Sequence, residues 1–362
     1  MNMMITVDKI ASSTRNVPVS RQTRLTHVVP AHPGTVVVVR VLDDKATYNQ
    51  LEDVHGRMMT VHRGDVVVGV LGARRALRGY TGVVPEAVKP GDTLHLLNLG
   101  GVIGLCTSAN AEVGPPARVE VLGAVIDDRG ERAVAASIRP GPIGLDAQLV
   151  PGLAPLVLVV GSCMHAGKTA ATCALVRQLS DRGLRVGTAK VTGVALRRDT
   201  LEMLDHGAVA AYTFADAGLP STCAGDVVQA ARGCLNALRS DGVDVMVVEL
   251  GDGLLGEYGV MDILKADDIR AATSAVVLAA SDPVAAWGGV KLLEAVGLRT
   301  SVVTGPATDN DAGSHAISSL VGVAAHNARS APGAFTLAVL RDLDLPTVQQ
   351  AARSFSDLHT AA

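Results

Sequence analysis

Two patterns of apolar positions divide the chain. Across residues 35–136, short β-rich runs are broken by turns: Val36-Val37-Val38-Val39, Val66-Val67-Val68, Thr93-Leu94-His95-Leu96-Leu97 and Val119-Glu120-Val121-Leu122. Arg63-Gly64-Asp65 and Pro90-Gly91-Asp92 have the composition of turns that lead into strands. No helical period dominates this half, so it reads as a small β-barrel or sandwich. From Leu156 onward the rhythm changes. Apolar strand-like runs at 156–160, 184–188, 210–214, 243–248, 275–280 and 300–303 alternate with helical segments, one from Lys168, one near Thr200 and one across 227–239. That alternation predicts the α/β class, with a mostly parallel, doubly wound sheet wrapped by helices.

Residues 138–155 lie between the two patterns and hold four prolines and three glycines, the composition of a linker. Residues 1–24 are polar and mixed, and are expected to form a partly ordered leading segment. The expected organisation is a polar segment (1–24), a β-rich accessory domain (25–137), a linker (138–155) and an α/β domain (156–362). No internal repeat or low-complexity tract interrupts it.

The chemistry concentrates where the run 156–160 meets Gly161-Ser162-Cys163-Met164-His165-Ala166-Gly167-Lys168-Thr169. A buried strand that enters a glycine-flanked loop and leaves through Lys-Thr into a helix is a cradle for polyphosphate. Backbone N–H groups face the anion, the lysine adds a point charge, and the threonine hydroxyl reaches Mg²⁺. This makes the residues from Gly161 through Ala170 the expected nucleotide-binding set. Five residues separate Gly161 from Gly167, one more than in the common phosphate loop.

That longer spacing resembles the loop of dethiobiotin synthetase and its relatives, which include the cobyrinic acid amide synthases. The resemblance covers roughly residues 155–306. It is also reminiscent of uncharacterised phosphate-loop proteins with an accessory N-terminal domain. It implies ATP and Mg²⁺ as cofactors, and a reaction in which ATP phosphorylates a carboxylate or carbamate that an amine then attacks. Lys190, at the end of the next strand-like run, matches a family lysine that contacts the transferred phosphoryl group, although Val191-Thr192 replaces the family's Pro-Val. Asp199 matches by order an acid that helps hold Mg²⁺; capping a helix from Thr200 explains it equally well. Glu249 ends a strand-like run and matches the family's glutamate. In the segment that follows, Gly251-Asp252-Gly253, Asp252 departs from the family pattern and offers a second acid for the metal. Lys168, Lys190 and Glu249 are therefore the expected catalytic residues, with Thr169, Asp199, Glu249 and Asp252 around Mg²⁺.

A small carboxylate or amino acid is the expected substrate. His165, Thr192, Asp216, Ser221 and Thr222 are its expected contacts, the last three because the turn-rich stretch 214–222 falls where strand ends place a substrate loop. A structural turn remains the competing reading of that stretch. Arg197 and Arg198 face either an anionic substrate or water, and Thr304-Gly305-Pro306 is a candidate contact for the nucleotide base. Cys163 has no visible base partner of the triad type, so a contact role fits it better than covalent catalysis. Asn98-Leu99-Gly100-Gly101 reads first as a tight barrel corner, and otherwise as a domain interface or second ligand contact.

Composition narrows the alternatives. The net charge is -3 and aromatic residues make up 2%, which argues against nucleic-acid and membrane-surface partners. Five cysteines without a CxxC pair argue against a disulfide framework or zinc site and fit a reducing cytoplasm. No apolar run reaches the roughly 18 residues a membrane helix needs. Three readings other than a ligase remain: a small-molecule kinase using the same site, a partner-switching NTPase, and a non-catalytic nucleotide sensor. The partition ATPases of this fold family usually carry Gly-Lys-Gly-Gly early in the loop, and Gly161-Ser162-Cys163-Met164-His165 has no lysine. Both families work as dimers, so a homodimer is expected.

Overall fold

The computed structural model describes residues 2–127, 134–223 and 225–343. Residues 128–133 of the expected accessory domain and 344–362 of the expected α/β domain lie outside the described residues.

The first half closes into a barrel. Strand Arg118–Asp127 pairs with Val36–Val41, which pairs with Val66–Leu71, then Val102–Ala109, then Thr93–Leu96, and Thr93–Leu96 pairs back to Arg118–Asp127. Val37, Val39, Val67, Leu71, Leu94, Leu96, Ile103, Val119 and Val121 share one cluster, the barrel core. Alternate residues of the same strands, Val36, Val38, Val68, Val70 and Val125, join a second cluster with Val7, Val17 and Leu25. The valine run is continuous because both of its faces are buried.

That second cluster corrects the expectation for residues 1–24. Asn2–Thr6 pairs antiparallel with Gln22–Thr26, Lys9–Ile10 pairs parallel with Val66–Leu71, and Gln22–Thr26 pairs with Arg118–Asp127. The segment is an outer strap of the barrel. Its apolar residues are too widely spaced to show a period, yet Val7 and Val17 share a cluster with Val36, Val38, Val68 and Val70.

The second half is a parallel sheet of six strands. Across it run Ala210–Thr213, the lysine strand Val186–Thr192, the acid strand Val245–Leu250, the loop strand Leu156–Gly161, Thr273–Ala279 and Val302–Thr304. Leu156, Leu158, Met246 and Val248 face one apolar layer, while Val157, Val159, Val245 and Val247 face the other, which explains their uninterrupted runs. Helices α1 (Lys168–Ser180), α2 (Arg198–Asp205) and α3 (Val227–Ser240) pack on the sheet, and five further helices follow among the described residues. The lysine strand does not end at Lys190, as the sequence suggests, but continues to Thr192. The linker lies along α3, where Val150 N donates to Asn236 Oδ1 (2.9 Å) and Arg239 Nε donates to Pro151 O (2.8 Å).

The barrel meets the end of the parallel sheet that carries the phosphate loop. Asn98 Nδ2 donates to Ala195 O (2.7 Å), and Arg15 pairs with Asp216 (2.5 Å). A Cβ at Gly100 would stand 1.9 Å from Ala195 O, so Asn98-Leu99-Gly100-Gly101 belongs to the domain interface rather than to a barrel corner alone. Gly100→Ala is therefore expected to lower stability by about 1–3 kcal/mol through overpacking. Urea denaturation measures this, and an unchanged midpoint would mean that the two domains do not press together at this point.

Candidate functional site

The loop strand ends at Gly161, and α1 starts at Lys168. Gly167 precedes α1 at φ 97°, a left-handed conformation that favours glycine, and no side chain caps the helix. The first-turn N–H groups of α1 are thus without a side-chain acceptor, the arrangement that receives an anion. His165 also has positive φ (63°) and is exposed. At Gly253 a Cβ would come within 2.8 Å of Cys163 Cα, so only glycine lets the segment after the acid strand lie against the loop. Gly305 lies against the loop from the other side, where a Cβ would stand 2.2 Å from Ala166 O.

Lys168 is buried and folds back over the loop, donating to Cys163 O (2.9 Å) and to Asp252 O. Burial pulls the pKa of its ammonium down, and the nearby Glu249 carboxylate pulls the other way without prevailing.

The acid strand lies between the loop strand and the lysine strand, and its register places Glu249 beside Val159 on one side and Lys190 on the other. Thr169 Oγ1 donates to Glu249 Oε1 (3.2 Å), and Lys190 Nζ lies 3.6 Å from the same oxygen. The second partner of Lys190 is Asp199 Oδ2, in the first turn of α2. One ammonium is thus wedged between two buried carboxylates. Burial alone would lower the Lys190 pKa, but Asp199 and Glu249 outweigh it and hold the pKa above its ordinary value. For Glu249, burial dominates and raises the pKa; for Asp199, the Lys190 charge overcomes burial and lowers it.

Two carboxylate oxygens here are buried without a hydrogen-bond partner, Glu249 Oε2 and Asp252 Oδ1. The unpaired oxygen of Glu249, a carboxylate that accepts from the Thr169 hydroxyl, suits a hard cation. Among the described residues no three His, Cys, Asp or Glu side chains gather into a metal cage. A Mg²⁺ ion that takes most of its ligands from phosphate and water does not need one. The N-cap alternative for Asp199 is not what the structure shows. Arg197 is the N-cap of α2, and Asp199 lies inside the first turn, turned toward Lys190.

The structure places Thr169, Lys190, Asp199 and Glu249 in one contact network and Lys168 against the Asp252 carbonyl, whereas the expected substrate contacts Thr192, Asp216, Ser221 and Thr222 lie elsewhere. Thr192 is fully buried and its hydroxyl donates to Gly251 O, tying the lysine strand to the acid strand. Asp216 accepts from Arg15 (2.5 Å) and from Thr213 N (2.8 Å). Ser221 Oγ contacts Cys223 Sγ (3.1 Å), and Thr222 Oγ1 donates to Tyr258 O (2.8 Å). The stretch 214–222 is therefore a structural turn, closed by the barrel docking on it. Arg197 likewise donates to Val54 O rather than facing substrate or water.

Barrel residues that the sequence did not single out complete the picture. Leu77 N donates to Asp252 Oδ2 (3.0 Å), Arg75 N donates to Tyr258 Oη (3.1 Å), and Glu52 accepts from the start of α2. Nothing local marks them, because each acts only after the two halves meet.

No protein-family model and no curated protein matches the chain. Among solved structures, it is similar to the signal recognition particle 54 kDa protein of Aeropyrum pernix K1 in complex with GDP, at 20% identity and TM-score 0.37 over 58% of this chain and 51% of that one. The match thus spans about half the length of that protein. It is also similar to the cell division protein FtsY of Thermotoga maritima, at 15% identity and TM-score 0.38 over 56% of this chain and 74% of that one. A third likeness is chloroplast FtsY of Physcomitrella patens, at 14% identity and TM-score 0.36 over 50% and 60%.

Lys190→Met would strand two buried carboxylates and is expected to destabilise the fold by about 3–5 kcal/mol at neutral pH. The pH dependence follows from Asp199, whose carboxyl is held below its ordinary value of 3.8. In the unaltered protein its contribution is present above that value and lost as pH falls through the depressed one. The stability gap between the two proteins should therefore narrow between about pH 7 and about pH 4 and below. Urea denaturation at a series of pH values measures it; a constant gap would assign Lys190 a packing role instead.

Proposed function

We propose that this chain is an ATP- and Mg²⁺-dependent ligase that phosphorylates a small carboxylate or carbamate for attack by an amine. The observation that supports this best is the second ammonium. Lys190 Nζ lies 3.6 Å from the Glu249 oxygen that accepts from Thr169, the residue next to Lys168. Two cations at the end of a phosphate loop suit a transferring phosphoryl group, whose charge spreads over its equatorial oxygens.

In this reading the loop amides from Gly161 to Gly167 and Lys168 bind the β- and γ-phosphates. Lys168 exchanges its carbonyl contacts with Cys163 and Asp252 for phosphate oxygens. Thr169 and Glu249 would hold Mg²⁺, with Asp252 Oδ1 as a further acceptor, and the metal would supply charge neutralisation at the phosphates. Lys190, oriented by Asp199, faces the phosphoryl group as it moves. No general base is required, since phosphoryl transfer relies on positioning and electrostatics. Of the expected substrate contacts only His165 keeps an exposed side chain, and in this reading the substrate would bind on that side of the loop. A small-molecule kinase uses the same residues and stops after one transfer. The homodimer and the cytoplasmic setting belong to the same proposal; among the described residues no helix is long and apolar enough to cross a membrane.

Lys168→Ala is expected to abolish binding of ATP and GTP in calorimetry. Glu249→Gln should still bind nucleotide but lose phosphoryl transfer by about 100-fold or more. The readout is ADP release in the presence of panels of small carboxylic and amino acids. Undiminished transfer in Glu249→Gln would defeat the ligase assignment.

A further inference from the structure

The acids of the site are not all fixed by the sheet that carries the phosphate loop. Glu52, at the end of strand Gln50–Glu52, which pairs with Met58–Thr60 in a two-stranded sheet beside the barrel, is fully buried. Its Oε2 accepts from Arg197 N and its Oε1 from Arg198 N, both at 2.6 Å. These are the N-cap and first residue of α2, and the N-cap has no side-chain cap of its own. A carboxylate here does what a capping Ser, Thr, Asp or Asn does locally, and it also meets the positive end of the helix dipole.

The barrel grips this segment elsewhere too. Arg197 donates to Val54 O, Asn98 donates to Ala195 O, and the Leu201 side chain fills the space a Cβ would need at Gly56. The residue after Arg198 is Asp199, whose carboxylate pairs with Lys190, and Lys190 is shared with Glu249. A path of direct contacts therefore runs from Glu52 to the start of α2, through Asp199 and Lys190, to the acid beside Thr169.

We propose that Glu52 is a positioning residue for the Mg²⁺ half of the site, acting across the domain interface through Asp199 and Lys190. This rests on the phosphate-loop reading above. With α2 capped, Asp199 shares the Lys190 charge and leaves the Glu249 carboxylate negative enough to bind a divalent cation. With α2 uncapped, Asp199 is released, Lys190 neutralises Glu249 alone, and the ammonium competes with the cation. The barrel then serves as the part of the enzyme that holds the metal half-site in order.

The test uses the full chain with Glu52→Gln, whose amide keeps one acceptor oxygen but places an NH₂ against the other N–H. Mg²⁺ is titrated at saturating ATP, and nucleotide affinity is measured separately in EDTA. The apparent Mg²⁺ affinity is expected to fall by about 10- to 100-fold, as for groups that orient metal ligands. Affinity for ATP without metal should stay within about two-fold, and Asp199→Asn should reproduce the loss without adding to it in the double variant. Glu52→Asp, which keeps the charge at the helix start, should recover part of the loss, and it decides the matter on the same readout if Glu52→Gln does not fold. Unchanged Mg²⁺ dependence, or an equal loss of metal-free ATP affinity, would overturn the positioning role while leaving the phosphate-loop reading intact. If the unaltered protein binds no nucleotide with Mg²⁺, both fall together.

Discussion

One buried ammonium between two carboxylates organises the loop-bearing end of this molecule. Taking Lys190, Asp199 and Glu249 out of water costs several kcal/mol per charge, and only close pairing offsets it. The triad is therefore stable only with all three in register. That register follows from strand order: the acid strand lies between the lysine strand and the loop strand, so Glu249 reaches Lys190 on one side and Thr169 on the other. The triad keeps one net negative charge when all three are ionised, and it is directed at the threonine that opens α1. Net negative charge beside a helix start that no side chain caps suits a divalent cation accompanied by an anion.

The barrel is part of this arrangement. Glu52 caps α2, Leu77 N holds Asp252, and Arg15 with Asn16 closes the stretch 213–216. A strand residue, Glu52, and a turn residue, Leu77, of the N-terminal half thus help fix Asp199 and Asp252, while Glu249 is set by its own strand. The division has a physical logic. Strand positions are fixed by ladder hydrogen bonds, but loop and helix-start positions need an external partner for their free backbone groups.

The sequence carried the parts of this picture that depend on local pattern. Continuous Val and Leu runs located the parallel strands, and Gly-Lys-Thr after an apolar run located the loop. Lys190 and Glu249 stand out by their match to a family's lysine and glutamate near strand ends, although each strand runs past them, to Thr192 and Leu250. The strap formed by the first residues was not legible, since Val7, Val17 and Leu25 are separated by polar stretches and gain meaning only against Val36 and Val38. The stretch 214–222 misled for a related reason. Asp216, Ser221 and Thr222 have the composition of a binding loop, but their partners are Arg15, Cys223 and Tyr258, whose proximity no periodicity reveals. Glu52 left no trace at all, because a helix cap supplied from ~145 residues away has no fixed spacing.

The barrel strand Val36–Val41 has a consequence for biogenesis. Its partners are Val66–Leu71 and Arg118–Asp127, so on a ribosome it emerges well before the strand that covers its second edge. During that interval a run of four valines is uncovered, a segment rich in β-propensity and free of proline, of the kind that self-associates. The guanidinium of Arg40 interrupts the run and later pairs with Glu120 across the ladder (3.3 Å). Before the ring closes, that charge is the chain's own gatekeeper against aggregation, a protection that ceases to matter once the polypeptide is complete.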